Sequence, residues 1–216
     1  FKHTGIFPEQ APNWEWLATH VKGFVNLSSD EGFTKPNVLN LFGYTGIASI
    51  VAAQAGAFVT HVDASKQSLD WAHENARLSG VGEDKIRWML DDALVFVKRE
   101  ARRLTAQAGG AKYDGIILDP PAFGRGASGE VWKIEEDFST LLAGLKEIFS
   151  DKHDSFFLVN GYAAGYAPRS FAQAVESVFG EINGLPAQAG ECGEMHIKES
   201  SSERVIPAGI YVRFVR

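Results

Sequence analysis

Beyond Pro36, short and nearly unbroken apolar runs alternate with segments whose apolar residues recur every three or four positions. Val38-Leu-Asn-Leu-Phe42, Ala57–Val62, Ile86–Leu90, Tyr113–Leu118 and Ser155–Val159 read as strands, being brief, apolar and bounded by turn residues. Between them, helices are predicted over Ile47–Ala55, from a Ser65 cap to Leu78, over Ala93–Ala106 and over Phe171–Phe179. Gly80 is placed to close the Ser65 helix. Ile134, Phe138, Leu141, Leu142 and Leu145 mark one face of a further helix. Two more strands are expected near Met195–Ile197 and Ile210–Val215. Strands that barely alternate, separated by amphipathic helices, belong to a parallel sheet covered on both faces. The fold class is therefore α/β, a doubly wound sheet spanning residues 36–216. Residues 1–35 lack this rhythm: Gly5, Pro8, Pro12 and Gly32 interrupt one apolar-periodic stretch around Trp14–Val21. They are expected to form an irregular lead-in packed near the ligand cleft.

Composition narrows the class. The chain has 216 residues, 45% hydrophobic and 22% charged, with 21 Lys and Arg against 27 Asp and Glu. This suits one domain with a full core. No apolar stretch reaches the ~18–20 residues of a membrane helix, and no signal peptide opens the chain. The start at Phe1 rather than Met suggests a trimmed piece of something longer. A single cysteine, Cys192, excludes an internal disulfide framework and a Cys-rich zinc site. It fits a reducing cytoplasm, the expected location. The six histidines show no metal-ligand spacing, so no metal is expected. A net charge of −6 argues against a surface built for non-specific nucleic-acid binding but leaves room for a local basic groove.

In doubly wound sheets ligands bind beyond the carboxyl ends of the strands, so the residues there are the candidates. Strand one runs into Phe42-Gly-Tyr-Thr-Gly46, a turn whose glycines permit φ > 0 and close ligand approach, or simply a tight strand–helix connection. Strand two ends at Asp63, Ala64 and Ser65. An acid ~20 residues beyond a Gly-rich turn suits a ribose hydroxyl pair; it can equally help cap a helix. Strand three ends at Asp91-Asp92-Ala93, where a carboxylate could accept from an adenine amino group. Strand four ends in Asp119-Pro-Pro-Ala-Phe123. The prolines stiffen the backbone and remove N–H groups, turning carbonyls and Asp119 to the cleft and leaving Phe123 at the rim to stack on a planar substrate. Together these four ends point to a nucleoside cofactor and a planar acceptor.

Leu39-Asn-Leu-Phe-Gly-Tyr-Thr-Gly46, Val62-Asp-Ala-Ser65, Asp92 and Asp119-Pro-Pro-Ala-Phe123 resemble class I S-adenosylmethionine-dependent methyltransferases, and among these the bacterial large-subunit ribosomal RNA base methyltransferases. The resemblance is strong over about residues 36–165 and extends weakly to Thr4-Gly-Ile-Phe7 and Ile206–Gly209. It implies a Rossmann-like, seven-stranded, mostly parallel sheet with an antiparallel last strand, and a cytoplasmic enzyme of ribosomal RNA processing. Phe42, Gly43, Tyr44, Thr45 and Gly46 would wrap the methionine half of S-adenosylmethionine. Asp63 would hold the ribose, with Ala64 against adenine and Ser65 also among the cofactor-binding residues. Asp92 and the Ala93 backbone would meet adenine. Asp119 and Pro120 would line the methyl donor and target atom, with Asp119 and Phe123 as catalytic candidates. The family's opening Gly-x-Phe-Leu-Asp-x-Arg element reads Gly5-Ile-Phe-Pro-Glu-Gln10 here, without the arginine. Relatives also tend to carry an N-terminal RNA-binding domain.

Carbon-5 methylation of cytosine needs a thiolate near strand four or five. Neither the Asp119-Pro-Pro loop nor Asn160-Gly-Tyr-Ala-Ala164 has one, which favours a nitrogen target. Arg125 is the candidate for a substrate phosphate or carboxylate, or a solvated loop arginine. Lys98, Arg99, Arg102 and Arg103 read as the solvated face of one helix. Trp132 packs a lid or starts the next helix; His3 and His196 could approach the cleft, but core or surface roles are preferred. The competing readings are a nicotinamide-dependent oxidoreductase, whose fingerprint wants a third glycine where Ser49 stands, and a cofactor-binding assembly factor without turnover. An RNA partner is expected, without membrane or metal; the oligomeric state is not written in the chain.

Overall fold

The computed structural model describes residues 5–28, 35–106, 110, 112–126, 129–162, 167–180 and 190–216. His3, Thr4, Gly32, Ala163 and Ala164, named above, lie outside these. Five strands pair in parallel: β1 (Asn37–Leu41), β2 (Phe58–Asp63), β3 (Ile86–Leu90), β4 (Gly115–Leu118) and β7 (Phe156–Gly161). A small hairpin, β5 (Phe123–Arg125) with β6 (Val131–Lys133), stands apart. The closing strands β8 (Glu191–Lys198) and β9 (Val205–Val215) are antiparallel to each other, and β9 is antiparallel to β7. The order across the sheet is β3-β2-β1-β4-β7-β9-β8, seven strands with the last one in sequence antiparallel to both neighbours. This is the fold class expected from the sequence.

Alternate residues of the central strands feed two cores, which is why their sequences look continuously apolar. Phe157 and Val159 of β7 join one face, with Phe96 of α4 (Ala93–Thr105), Leu141 and Leu142 of α5 (Ile134–Ile148) and Phe171 of α6 (Pro168–Phe179). Phe156 and Leu158 point the other way, toward Leu17 and Val21 of α1 (Ala11–Ser28), Ile50 of α2 (Ile47–Gln54) and Ala76 of α3 (Lys66–Leu78). Local chemistry sets the helix ends. Ser65 Oγ accepts from the Ser68 N–H at 3.2 Å. Past α3, Gly80 is left-handed at φ 71°, and the Gly80 and Val81 N–H groups donate to Arg77 O and Ala76 O. Two of the orphan carbonyls of the last turn are thereby satisfied.

Two expectations are corrected. Residues 1–35 are not irregular throughout, since Ala11–Ser28 forms an 18-residue helix. Pro12 stands in its first turn, where its missing N–H has no helical partner to lose. Pro8 similarly opens a 3-10 turn, Pro8–Gln10. The prolines thus start structure instead of breaking it, and Leu17, Val21 and Phe24 carry the buried stripe. The β5–β6 hairpin was not anticipated either; strands of three residues are too short to show an alternation.

Leu17 is fully buried, so Leu17→Ala should lower stability by about 2–5 kcal/mol in urea unfolding. A loss near zero would mean that α1 is no part of the cooperative core.

Candidate functional site at the strand ends

From β1 the chain crosses to β2, whereas from β4 it crosses to β7 on the other side. Those opposed departures open a crevice beyond the carboxyl ends of β1 and β4. A cavity of about 450 Å³ lies there, within the range of small-molecule sites. It is lined by Phe42 and Tyr44 after β1, Asp63, Ala64 and Ser65 after β2, Asp92 after β3, and Asp119, Pro120 and Pro121 after β4. Phe7, Arg125, Trp132 and Tyr162 complete its walls.

The turn after β1 is held in an uncommon shape. Phe42 and Tyr44 have φ of 57° and 47°, and Gly46 has φ 87°. Non-glycine residues persist there only where the surroundings over-determine them. Asp63 is one such constraint: Oδ2 accepts the Tyr44 N–H at 2.9 Å and Oδ1 the Ser65 N–H at 2.8 Å. Burial raises the Asp63 pKa, and these two hydrogen bonds oppose the rise. A carboxylate oxygen has two lone-pair sites, so both still have acceptor capacity toward the cavity. Beneath the turn, the buried His61 ring shares a hydrogen bond of 2.9 Å with Ser49 Oγ, which accepts from Asn40 Nδ2. Burial lowers the His61 pKa to about 3, so the ring is neutral. A Cβ on Gly43 would stand 2.3 Å from that ring. Gly43 is therefore required by the packing of His61 as much as by any ligand.

Asp92 lines the cavity and also caps α4, accepting the Val95 N–H at 3.1 Å. Asp91 turns away to Arg99, with 2.5 Å between Oδ2 and the guanidinium. The Pro120-Pro121 segment is pinned from the hairpin, where Trp132 Nε1 donates to Pro121 O at 2.7 Å. The Trp132 ring also packs on Phe42, with centroids 5.0 Å apart. Asp119 meets the lead-in: Gln10 Nε2 donates to Asp119 Oδ2 at 2.7 Å and to the Tyr162 hydroxyl at 2.8 Å. Burial pushes the Asp119 pKa up to about 7; the Gln10 hydrogen bond pulls it down, and the nearby Glu9 charge pushes it up.

Most of the candidate site residues converge on this cavity, but five of them, Gly43, Thr45, Gly46, Ala93 and Phe123, do not line it. Gly43, Thr45 and Gly46 shape the turn, and Thr45 Oγ1 donates to Gly5 O. Ala93 is buried in the core. Phe123 lies outside, 55% exposed on the hairpin, with the Arg125 guanidinium 5.9 Å from its ring centroid. Cys192 is exposed on the edge strand β8. His196 is beside Glu194 on the same strand. Sequence reasoning missed Phe7, Gln10 and Tyr162. Tyr162 directly follows β7 and was reachable by the same strand-end rule, whereas nothing local to Gln10 reveals its partner.

Gly43→Ala should cost about 1–3 kcal/mol of stability through overpacking. The cost should shrink in a His61→Ala background, and a double-mutant cycle by urea unfolding measures the coupling. Equal costs in both backgrounds would clear His61 of that role.

No protein-family model matches the chain. Ribosomal RNA large subunit methyltransferase K/L of Shewanella frigidimarina is 36% identical over 126 residues, 57% of this chain and 17% of that protein. Its namesake from Syntrophotalea carbinolica is 34% identical over 128 residues, 59% of this chain and 15% of that protein. The chain thus spans about one sixth of the curated relatives it matches. The crystal structure of a SAM-dependent methyltransferase from Agrobacterium tumefaciens is 37% identical with a TM-score of 0.83, covering 100% of this chain and 64% of that one. At 16% identity and a TM-score of 0.51, the SAM-bound magnesium protoporphyrin IX methyltransferase of Synechocystis shares the fold alone, over 92% of this chain and 79% of that one. The chain has the class I methyltransferase fold, and over more than half its length it is similar in sequence to large-subunit ribosomal RNA methyltransferases.

Proposed function

We propose that this chain binds S-adenosylmethionine in the strand-end cavity and transfers its methyl group to a nitrogen of an RNA base, large-subunit ribosomal RNA being favoured. The observation that carries the reading is the placing of Asp63, Asp92 and Asp119-Pro120 around one cavity. Such a ligand needs acceptors for its ribose hydroxyls and adenine amino group, an apolar slot, and a carboxylate for its cationic end. The residues present fit: Asp63 keeps acceptor capacity for the ribose, Asp92 for adenine, and Ala64 and Ser65 border the nucleoside. Phe42 and Tyr44, shaped by Gly43, Thr45 and Gly46, enclose the methionine half, with the Ala93 backbone beside Asp92. When bound, the group supplies an electrophilic methyl: the target lone pair takes the carbon, the C–S electrons stay on sulfur, and the charge arriving on nitrogen leaves as a proton.

The protein's own part is positioning, which can contribute ~7–11 kcal/mol when two reactants are held in a near-attack geometry. Asp119 accepts a hydrogen bond from the target, and the stiff Pro120-Pro121 backbone, fixed by Trp132, keeps it in place. A base must leave its stack to reach this depth. Phe123 and Arg125, side by side on the exposed hairpin, offer a ring to stack on and a cation for phosphate. With Cys192 on the far edge strand, no thiol reaches the cavity, which supports nitrogen over cytosine carbon-5.

The test is transfer of labelled methyl from S-adenosylmethionine into total RNA and total protein of cells lacking this protein. Label in large-subunit ribosomal RNA, released on digestion as an N-methylated nucleoside, is the expected result. Label confined to protein, or none despite cofactor binding, would withdraw the RNA reading. With labelled RNA as substrate, Phe123→Ala should cost about 5- to 100-fold in kcat/KM, the worth of one stacked base. Affinity for S-adenosylhomocysteine should stay within about twofold, because Phe123 stands outside the cavity.

A further inference from the structure

The cofactor reading leaves one arrangement unexplained. Gln10 is 5% exposed and Glu9 7% exposed, an unusual depth for two polar residues of a lead-in. Trp14 Nε1 donates to Gln10 Oε1 at 3.3 Å, which fixes the amide so that its NH₂ faces Asp119 and Tyr162. Burial and the nearby Glu9 carboxylate both raise the Tyr162 pKa. The segment itself is tied down on both sides. Thr45 holds Gly5 O, Phe7 packs on the Tyr44 and Tyr162 rings, and Asn13 Nδ2 donates to Asn160 Oδ1 at 2.9 Å. Asp119 also lines a small recess beside the main cavity, together with Gln10, Trp14, Asn40 and Asn160.

The Gln10 amide therefore occupies Oδ2 of Asp119, a residue that also lines the cavity. Among the described residues, no basic side chain is among the groups that act on Asp119. A carboxylate in a poorly hydrated site stays ionised only if hydrogen bonds or a cation compensate for lost water. Gln10 supplies the first, and a positively charged ligand would supply the second. Resting on the cofactor reading above, we infer that Gln10 is a positioning residue that holds Asp119 ionised and aimed at the cationic end of the cofactor, so that the site separates a sulfonium from a neutral thioether.

The consequence is a direction for the cycle. Methyl transfer removes the charge from sulfur, so the attraction to Asp119 disappears with the reaction and the product loses hold. Attraction requires the ionised carboxylate, which is depleted as pH falls through about 7 and restored above it. Among the described residues, the other groups facing Asp119 are Glu9 from the 3-10 turn and Tyr162 after β7. Tyr44, Asp63, Asp92 and Arg125 border the same cavity.

The experiment is calorimetric titration of this chain with S-adenosylmethionine and with S-adenosylhomocysteine between pH 6 and 9. The amino and carboxylate groups are common to both ligands, so the ratio of affinities isolates the charge on sulfur. In the wild type the preference for S-adenosylmethionine should rise with pH across about 7. Gln10→Leu should move that rise to higher pH, reducing the preference at pH 7 by about tenfold per pH unit of displacement. At pH 9 the preference should return, while affinity for S-adenosylhomocysteine stays nearly constant. Asp119→Asn should show no pH-dependent preference. Equal weakening of both ligands at every pH by Gln10→Leu would overturn the inference and leave Gln10 a wall of the recess. A wild-type preference that does not change with pH would overturn it too. Binding of neither ligand to the wild type would instead withdraw the cofactor reading itself.

Discussion

The divergence of the chain at β1 and β4 is the constraint on which the rest depends. Parallel neighbours whose connections leave to opposite sides cannot have their carboxyl ends covered by their own helices. The gap must be filled by side chains or kept for a ligand. Here it is kept, and each strand reaching it delivers one feature: a twisted turn, an acid, a cap, a proline pair. The wall between the gap and the interior is also specialised. Asn40, Ser49 and His61 form a buried polar chain directly beneath the turn, and Asp63 holds the turn from the side. Backbone that would be costly in isolation becomes the only shape that satisfies these neighbours.

The lead-in belongs to this design and does not merely precede it. Its helix buries Leu17 and Val21 on one face of the sheet. Its 3-10 turn delivers Gln10 to Asp119 across 109 positions of sequence. One short segment thus closes a core and completes a site, so local damage to either should be felt in the other.

Much of the architecture was legible because it rests on local rules. β3 begins and ends at Ile86 and Leu90 as its apolar run does, and Ser65 and Gly80 bracket α3 through capping chemistry that needs only neighbours. The strand-end acids were legible because parallel sheets place ligands by topology. What stayed hidden is long-range or too short to have a period. Asp63 spends part of its hydrogen-bonding capacity on Tyr44, and Gly43 answers to His61, and neither pairing is visible until β1 and β2 lie side by side. The α1 helix was obscured by reading Pro8 and Pro12 as interruptions, when a proline in a first turn is compatible with both helices.

The β5–β6 hairpin divides labour in a way that outlasts any one substrate. Its inward residue, Trp132, is buried and holds the proline loop, while Phe123 and Val131 face outward. Period-two alternation separates the two duties onto opposite sides of the same few residues. The outer side chains are thus free to be exchanged without loosening the inner one. On the proposed reading, such a surface is retargeted to a different acceptor by substitution, with the cavity behind it left intact.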